Sequence, residues 1–460
     1  MTKTTLLRDS AKTRWMVLLL VALTMFAVYV VSDVFSPLKT MLEQHNSWNS
    51  LEYGWFSSSY SIFNVFLGML IFGGLILDKK GIRFTGILSC ILMVVGIAIK
   101  YWAVSNPALL DSSMTFLGNT YKMQVVYAVL GFGIFGVGAE VAGISVSKAI
   151  VKWFKGKELA LAMGLQLSLA RLGTAAALNF SPMIAQAAGN VSTSVLCGLG
   201  LLILGGLCFL IYSIYDRKLD KQIKDDATQE EASFSLRDVK SIVTNKGFWL
   251  IASLCLLFYA AVFPFLKYAA DLMVNKFSVD PELAGSIPSM LPIGAIILTP
   301  LFGTIYDRIG RGADLMISGA FIITTVHLLF AAPFVNQWWM AMILMVFLGI
   351  GFAMVPAAMW PSLAKIMPEK QYGTAIALTF YIQNIGLFGM PLLIGAVLDK
   401  YCITGSRLID GLQVNTYDYT LPMIIFMSSC AISIIIAFTL KRLDKQKGYG
   451  LQVANMQKKK

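Results

Sequence analysis

Two ionisable side chains stand inside long apolar runs: Glu140 within FGVGAEVAG and Arg171 within LQLSLARLG. A charge near the centre of a bilayer costs several kcal/mol unless it pairs or faces water, so each marks a candidate site. A guanidinium offers a planar fork to a carboxylate, and a glutamate can hold an ammonium group. The turn WFKGKE joins the two runs, with Glu140 12 residues before Lys152 and Arg171 13 residues after Glu158. At a rise of about 1.5 Å per residue both lie roughly 18–20 Å deep, level with each other on neighbouring helices. A solute bearing both an ammonium and a carboxylate would engage both. A purely structural ion pair there would add little net stability, because desolvation offsets the attraction.

Further polar side chains fall at similar depth. Asn384 is preceded by Gln383 and Tyr381, and amides at that level can bond a peptide C=O and N–H together. Asn64 follows Tyr60 by about one helical turn, and Tyr29, Tyr259 and Trp360 complete a set of candidate substrate-binding residues. The expected cavity is wet and aromatic-walled, with few charges. Lys148 stands four residues from Lys152 and is expected to snorkel to water. Lys267 and Asp271, one turn apart at a helix end, are expected to pair with each other as an outer-gate pair or an interfacial anchor. The six cysteines have no metal-ligand spacing, and His45 and His327 stand far apart. No metal, cofactor or nucleophile–base pair is expected, and so no enzymatic role.

The elements that position these residues follow from composition. The chain has 460 residues, 57% of them hydrophobic and 13% charged, and its mean hydropathy is +0.71. That much apolar surface requires lipid as solvent. Apolar runs predict twelve spanning helices near 14–37, 53–77, 84–104, 123–151, 158–180, 193–214, 248–273, 283–305, 313–335, 338–365, 371–398 and 421–440. The net charge of +12 is spread over short loops rather than gathered on one face, which argues for membrane topology and against nucleic acid. Lys and Arg concentrate in alternate loops and at both ends, placing both termini in the cytoplasm.

The longest polar stretch, containing DDATQEE, separates six spans from six. The expected organisation is an all-α membrane protein with an N-terminal six-helix bundle at 1–214, a cytoplasmic linker at 215–247, a C-terminal bundle at 248–445 and a basic tail at 446–460. An internal repeat supports the division: FGGLILDKKGIR returns as FGTIYDRIGR, preserving Gly74, Asp78 and Gly81 as Gly303, Asp307 and Gly310.

That duplicated segment resembles the cytoplasmic loop motif of the major facilitator superfamily. The resemblance implies two pseudo-symmetric bundles and a gating role for Asp78, Arg83, Asp307, Arg308 and Arg311. Glycine there permits close helix approach, and the acid meets cations and helix ends. The stretches FGVGAEVAG, WFKGKELALAMGLQLSLARLG and AMWPSLAKIMPEKQYGTAIALTFYIQNIG, with AVFPF and the Tyr29/Asp33 pair, resemble the lysosomal dipeptide uniporter branch. The resemblance implies transport of small peptides by alternating access and supports a binding role for Glu140 and Arg171. Phe132 stands where many relatives carry an arginine tied to proton coupling, which is compatible with uniport. Leu6-Leu7 lacks the upstream acid of a lysosomal sorting signal, so a bacterial inner membrane is expected, with the protein a monomer. The rival readings are a proton-coupled carrier of organic anions and a non-transporting receptor with the same fold.

Overall fold

A computed structural model of the chain describes residues 6–116, 118–154, 157–223, 236–409 and 412–454. The DDATQEE run and the last residues of the tail lie outside them. The helices in chain order are α1 (Ala11–Asp33), α2 (Lys39–Asn46), α3 (Ser50–Phe66), α4 (Met69–Ser105), α5 (Met123–Phe154), α6 (Leu159–Ala188) and α7 (Ser192–Ile223). They continue as α8 (Leu236–Val243), α9 (Lys246–Phe277), α10 (Met290–Ile309), α11 (Gly312–Ala331), α12 (Trp338–Ile366), α13 (Glu369–Tyr401) and α14 (Thr420–Lys447). Two antiparallel hairpins complete the described chain, β1 (Ser113–Phe116) with β2 (Asn119–Lys122) and β3 (Ile403–Ile409) with β4 (Leu412–Tyr417).

Eleven of the described helices are long and apolar enough to cross a membrane. The count of twelve crossings is recovered at two glycines. The predicted helix at 53–77 breaks at Gly68, whose φ of 62° is left-handed, so α3 and the first arm of α4 together make one crossing. Gly81, at φ 80°, then turns the chain back into the second arm of α4. Gly310, also at φ 80°, occupies the equivalent turn of the repeat between α10 and α11. The preserved glycines therefore mark two matching reversals that a β-carbon would strain.

Other boundaries differ from expectation. The predicted helix at 283–305 begins only at Met290, because 281–289 forms turns carrying Pro281 and Pro288. Helix α7 continues to Ile223, inside the stretch expected as linker, and α8 also lies there. Helix α2 and the hairpins were not anticipated. They lie on the face opposite the termini, called here the far face; the other is the terminal face.

Small residues bring helices close. A β-carbon on Gly136 of α5 would stand 2.0 Å from the Tyr60 carbonyl oxygen of α3, and one on Gly131 would stand 2.5 Å from the Gly96 carbonyl of α4. The Gly131, Gly133, Gly136 and Gly138 stripe thus lets α5 lie against α3 and α4. Helices α1 to α7 pack mainly among themselves, as do α9 to α14, and the two sets meet along α3 with α13 and α6 with α10.

Candidate substrate site

Between the two sets lies a cavity of about 150 Å³. Tyr29 and Asp33 of α1, Tyr60 and Ser61 of α3, Glu140 of α5 and Thr174 of α6 face Phe263 and Lys267 of α9 and Gln383 of α13 across it. The close approach at Gly136 sets Tyr60 beside α5 one turn before Glu140, and the Tyr60 hydroxyl donates to Glu140 Oε1 at 3.1 Å.

Arg171 flanks the cavity, with its guanidinium 5.7 Å from the Tyr29 ring, 5.3 Å from Phe263 and 5.2 Å from Phe352. Rings of both sets therefore hold it by cation–π attraction. Among the described residues no ion pair joins it to Glu140.

The remaining residues expected at the site divide. Tyr29, Tyr60, Glu140 and Gln383 line the cavity, and Gln383 accepts a hydrogen bond from Cys255 Sγ at 3.4 Å. The Tyr381 hydroxyl donates to the Val65 carbonyl at 3.0 Å, joining α13 to α3. Asn384 donates to the Phe380 carbonyl at 3.0 Å, and Trp360 packs on the Phe380 ring at 5.0 Å. Tyr259 stacks on Phe263 at 5.3 Å, one ring removed from the cavity. Asn64 is buried, and neither side-chain polar atom meets a partner among the described residues.

Lys267 and Asp271 do not pair with each other. Each reaches instead for the opposite set, Lys267 to Asp33 at 2.6 Å and Asp271 to Lys39 of α2 at 3.0 Å. Their helical spacing would allow a local pair, but Lys267 reaches the end of α1 and Asp271 reaches α2, both across the seam between the sets. The cavity is consequently lined by two carboxylates and one ammonium, Asp33, Glu140 and Lys267, of which only Glu140 was expected there. The sequence signal for Asp33 was its spacing from Tyr29; nothing local distinguished Thr174 or Ser61.

The far face is sealed. Asp399 of α13 accepts from the Ser50 and Leu51 backbone N–H groups at 2.9 and 2.8 Å, capping the N-terminus of α3 from the opposite set. Beside it Lys39 bonds Glu43 at 2.6 Å, Tyr417 donates to Glu43 at 2.9 Å, and Tyr419 donates to Asp271. On the terminal face a cleft of about 290 Å³ separates the first arm of α4 and α5 from α13. Asp78 there pairs with Lys148 at 3.0 Å, which corrects the expectation that Lys148 merely snorkels. Arg83 meets Asp220 at 3.0 Å and Asp216 at 3.7 Å. In the second repeat Arg311 caps α11 with φ 59°, and its backbone N–H donates to the Gln452 carbonyl at 3.0 Å.

Two buried carboxylates share one lysine in the far-face seal. Burial pushes the Glu43 carboxyl up to about 7, Lys39 opposing the rise and Asp271 adding to it. An ordinary glutamate titrates at about 4.3. Its folded value is raised, so the seal is fully favoured below about pH 4.3 and this contribution is lost as pH rises through about 7. Thermal unfolding followed from about pH 4.5 to about 7.5 is expected to show a falling midpoint, and Glu43→Gln is expected to flatten it. A parallel fall in the variant would assign the dependence elsewhere.

Two helical sets around a polar cavity, sealed on one face and cleft on the other, have the plan of a membrane carrier. The chain belongs to the Major Facilitator Superfamily, whose family model matches residues 17–391 and 265–452. It is a multi-pass membrane transporter of a small-molecule substrate, not an enzyme. It is 29% identical over 398 residues to the "Lysosomal dipeptide transporter MFSD1" of Danio rerio, covering 84% of this chain and 81% of that protein. To the protein of that name from Mus musculus it is 27% identical over 458 residues, covering 97% and 90%. A "Nitrite extrusion protein" of Bacillus subtilis (strain 168) is 22% identical over 277 residues, covering 59% and 65%. Among solved structures, the nucleoside transporter NupG superposes with a TM-score of 0.64 at 14% identity, covering 93% of this chain and 99% of that one. The D-xylose-proton symporter superposes with a TM-score of 0.64 at 15% identity, covering 93% and 97%.

Proposed function

We propose that this protein carries dipeptides across the membrane by alternating access, as a uniporter. The observation that supports this most is the separation of Glu140 from Arg171: an anion and a cation of one half share a cavity region without neutralising each other. A zwitterionic peptide supplies the missing partner to each, its ammonium to Glu140 and its carboxylate to Arg171. Phe132 where many relatives carry an arginine fits uniport. Dipeptide-transporter relatives over most of the chain point to the same solute class. Gln383 bonds the peptide unit, and Asn384, Asn64, Trp360, Tyr259 and Tyr381 shape the walls that close around it. Asp78, Arg83, Asp307, Arg308 and Arg311 act at the terminal-face gate.

The two bundles, 1–214 and 248–445, rock about the cavity, and the protein works as a monomer. The loop cations favour a cytoplasmic terminal face, and the dileucine without an acidic neighbour fits a bacterial inner membrane.

A second reading, a proton-coupled carrier of organic anions, is favoured by the two cations Lys267 and Arg171 near one cavity. Thermal stabilisation of purified protein by dipeptides, amino acids, sugars and organic acids separates them. Dipeptides are expected to raise the midpoint and single amino acids to do so weakly. A shift with organic acids alone would overturn the dipeptide reading, and dipeptide uptake into proteoliposomes that needs a pH gradient would overturn uniport.

A further inference from the structure

Of the two ion pairs that tie α9 to the first set at the far face, one can be reached from the cavity. Lys39 and Asp271 have side chains 0% and 1% exposed. Lys267 and Asp33 are 18% and 14% exposed and line the same cavity as Glu140. Their hydrogen bonding is lopsided. Asp33 Oδ2 accepts from Thr174 at 2.8 Å and Oδ1 from Ser36 at 3.2 Å, both donors being on its own half. If Lys267 withdrew, Asp33 would keep two donors. Lys267 would keep only the Ser32 carbonyl, at 2.8 Å, and that too belongs to the opposite half. A lysine leaving this seam therefore needs a new anion, since an unpaired ammonium in such surroundings is costly.

We infer that Lys267 is a latch operated by the transported solute: it holds Asp33 when the cavity is empty and passes to the solute's carboxylate when the cavity is filled, freeing the far face to open. The inference rests on the cavity carrying a carboxylate-bearing solute and is indifferent to whether that solute is a peptide or another organic acid. Arg171 and Lys267 then divide the work. Arg171, held by rings of both halves, retains the solute, and Lys267 converts its presence into movement. The binding energy goes into a difference between two conformations, which is what a ligand must supply to shift their populations.

The test reads far-face opening apart from binding. Ser50 is fully buried in the seal, and a cysteine placed there in a background without the six native thiols reacts with a polar maleimide only when the seal parts. Alanyl-alanine is expected to raise the labelling rate of Ser50→Cys at least about threefold, and its C-terminal amide to leave it unchanged. Lys267→Met is expected to abolish this response while alanyl-alanine still raises the melting temperature, and Lys267→Arg to restore it. Asp33→Asn is expected to raise labelling with no solute present. Equal stimulation by acid and amide, a persisting response in Lys267→Met, or unchanged ligand-free labelling in Asp33→Asn would each overturn the latch. If alanyl-alanine gives no thermal shift in the native protein, the dipeptide reading fails instead. The latch is then judged on the ligand-free Asp33→Asn arm alone.

Discussion

Arg171→Ala is expected to weaken dipeptide binding by roughly 10- to 150-fold while leaving the protein folded. A guanidinium fork on a carboxylate forms two charge-assisted hydrogen bonds, and losing hydrogen bonds to a charged group costs about 1.5–3 kcal/mol, or roughly 10- to 150-fold in affinity. The loss is sharpened by what remains: three aromatic rings at 5.2 to 5.7 Å, which offer a carboxylate nothing. Folding should survive, because the guanidinium contributes cation–π contacts worth about 0.5–2 kcal/mol rather than a buried ion pair. Lysine is expected to recover little, since a point charge cannot reproduce the fork or stack between rings. Titration calorimetry with alanyl-alanine checks this, with the variant's melting temperature as the folding control. Affinity within about twofold of the native protein would remove Arg171 from the site.

Gly54→Leu is expected to stop transport by holding the far face apart. A β-carbon on Gly54 would stand 2.9 Å from the Pro391 carbonyl oxygen and 3.2 Å from Gly395 Cα, both on α13 of the opposite half. The reciprocal position is tighter, a β-carbon on Gly395 meeting the Ser50 carbonyl oxygen at 2.4 Å. These neighbours are backbone and cannot rotate away, and overpacking of this kind costs about 1–3 kcal/mol. The strain falls on the seam between the two sets, so the carrier can relieve it by parting them. A clash at Gly136, against Tyr60 within one set, could be relieved only by damaging the bundle. Uptake into proteoliposomes is expected to fall by about tenfold or more, the factor that about 1.4 kcal/mol gives, while solute still binds from the far side. Undiminished uptake would show that the closed seam accommodates the added side chain and overturn this prediction.

The residues behind these two predictions differ in how legible they are. Arg171 and Glu140 stand out in the sequence because charge is rare in apolar runs and the WFKGKE turn fixes their depth. The glycine seam does not stand out, since glycines are frequent throughout the chain and only the partner helix distinguishes Gly54 from Gly74, beside which a β-carbon meets nothing within 4 Å. Lys267 and Asp271 illustrate the same limit. One turn apart, they read as a local pair, whereas each is paired across the seam. Asn384 and Tyr381 read as cavity groups by depth, yet their bonds go to the Phe380 and Val65 carbonyls, because depth fixes a residue's level and leaves its direction around the helix open.

By itself the sequence determined the class of molecule, the duplicated plan, and the level of the buried charges along their helices. Each of these follows from terms that act along the chain: apolar transfer per residue, the repeat of a motif, and helical rise. Only the tertiary structure decided which charges pair, which polar groups face the cavity and which face of the carrier is closed. Those depend on the rotation of each helix and the contact of two bundles far apart in sequence, where a few ångströms decide between an ion pair and a cavity wall.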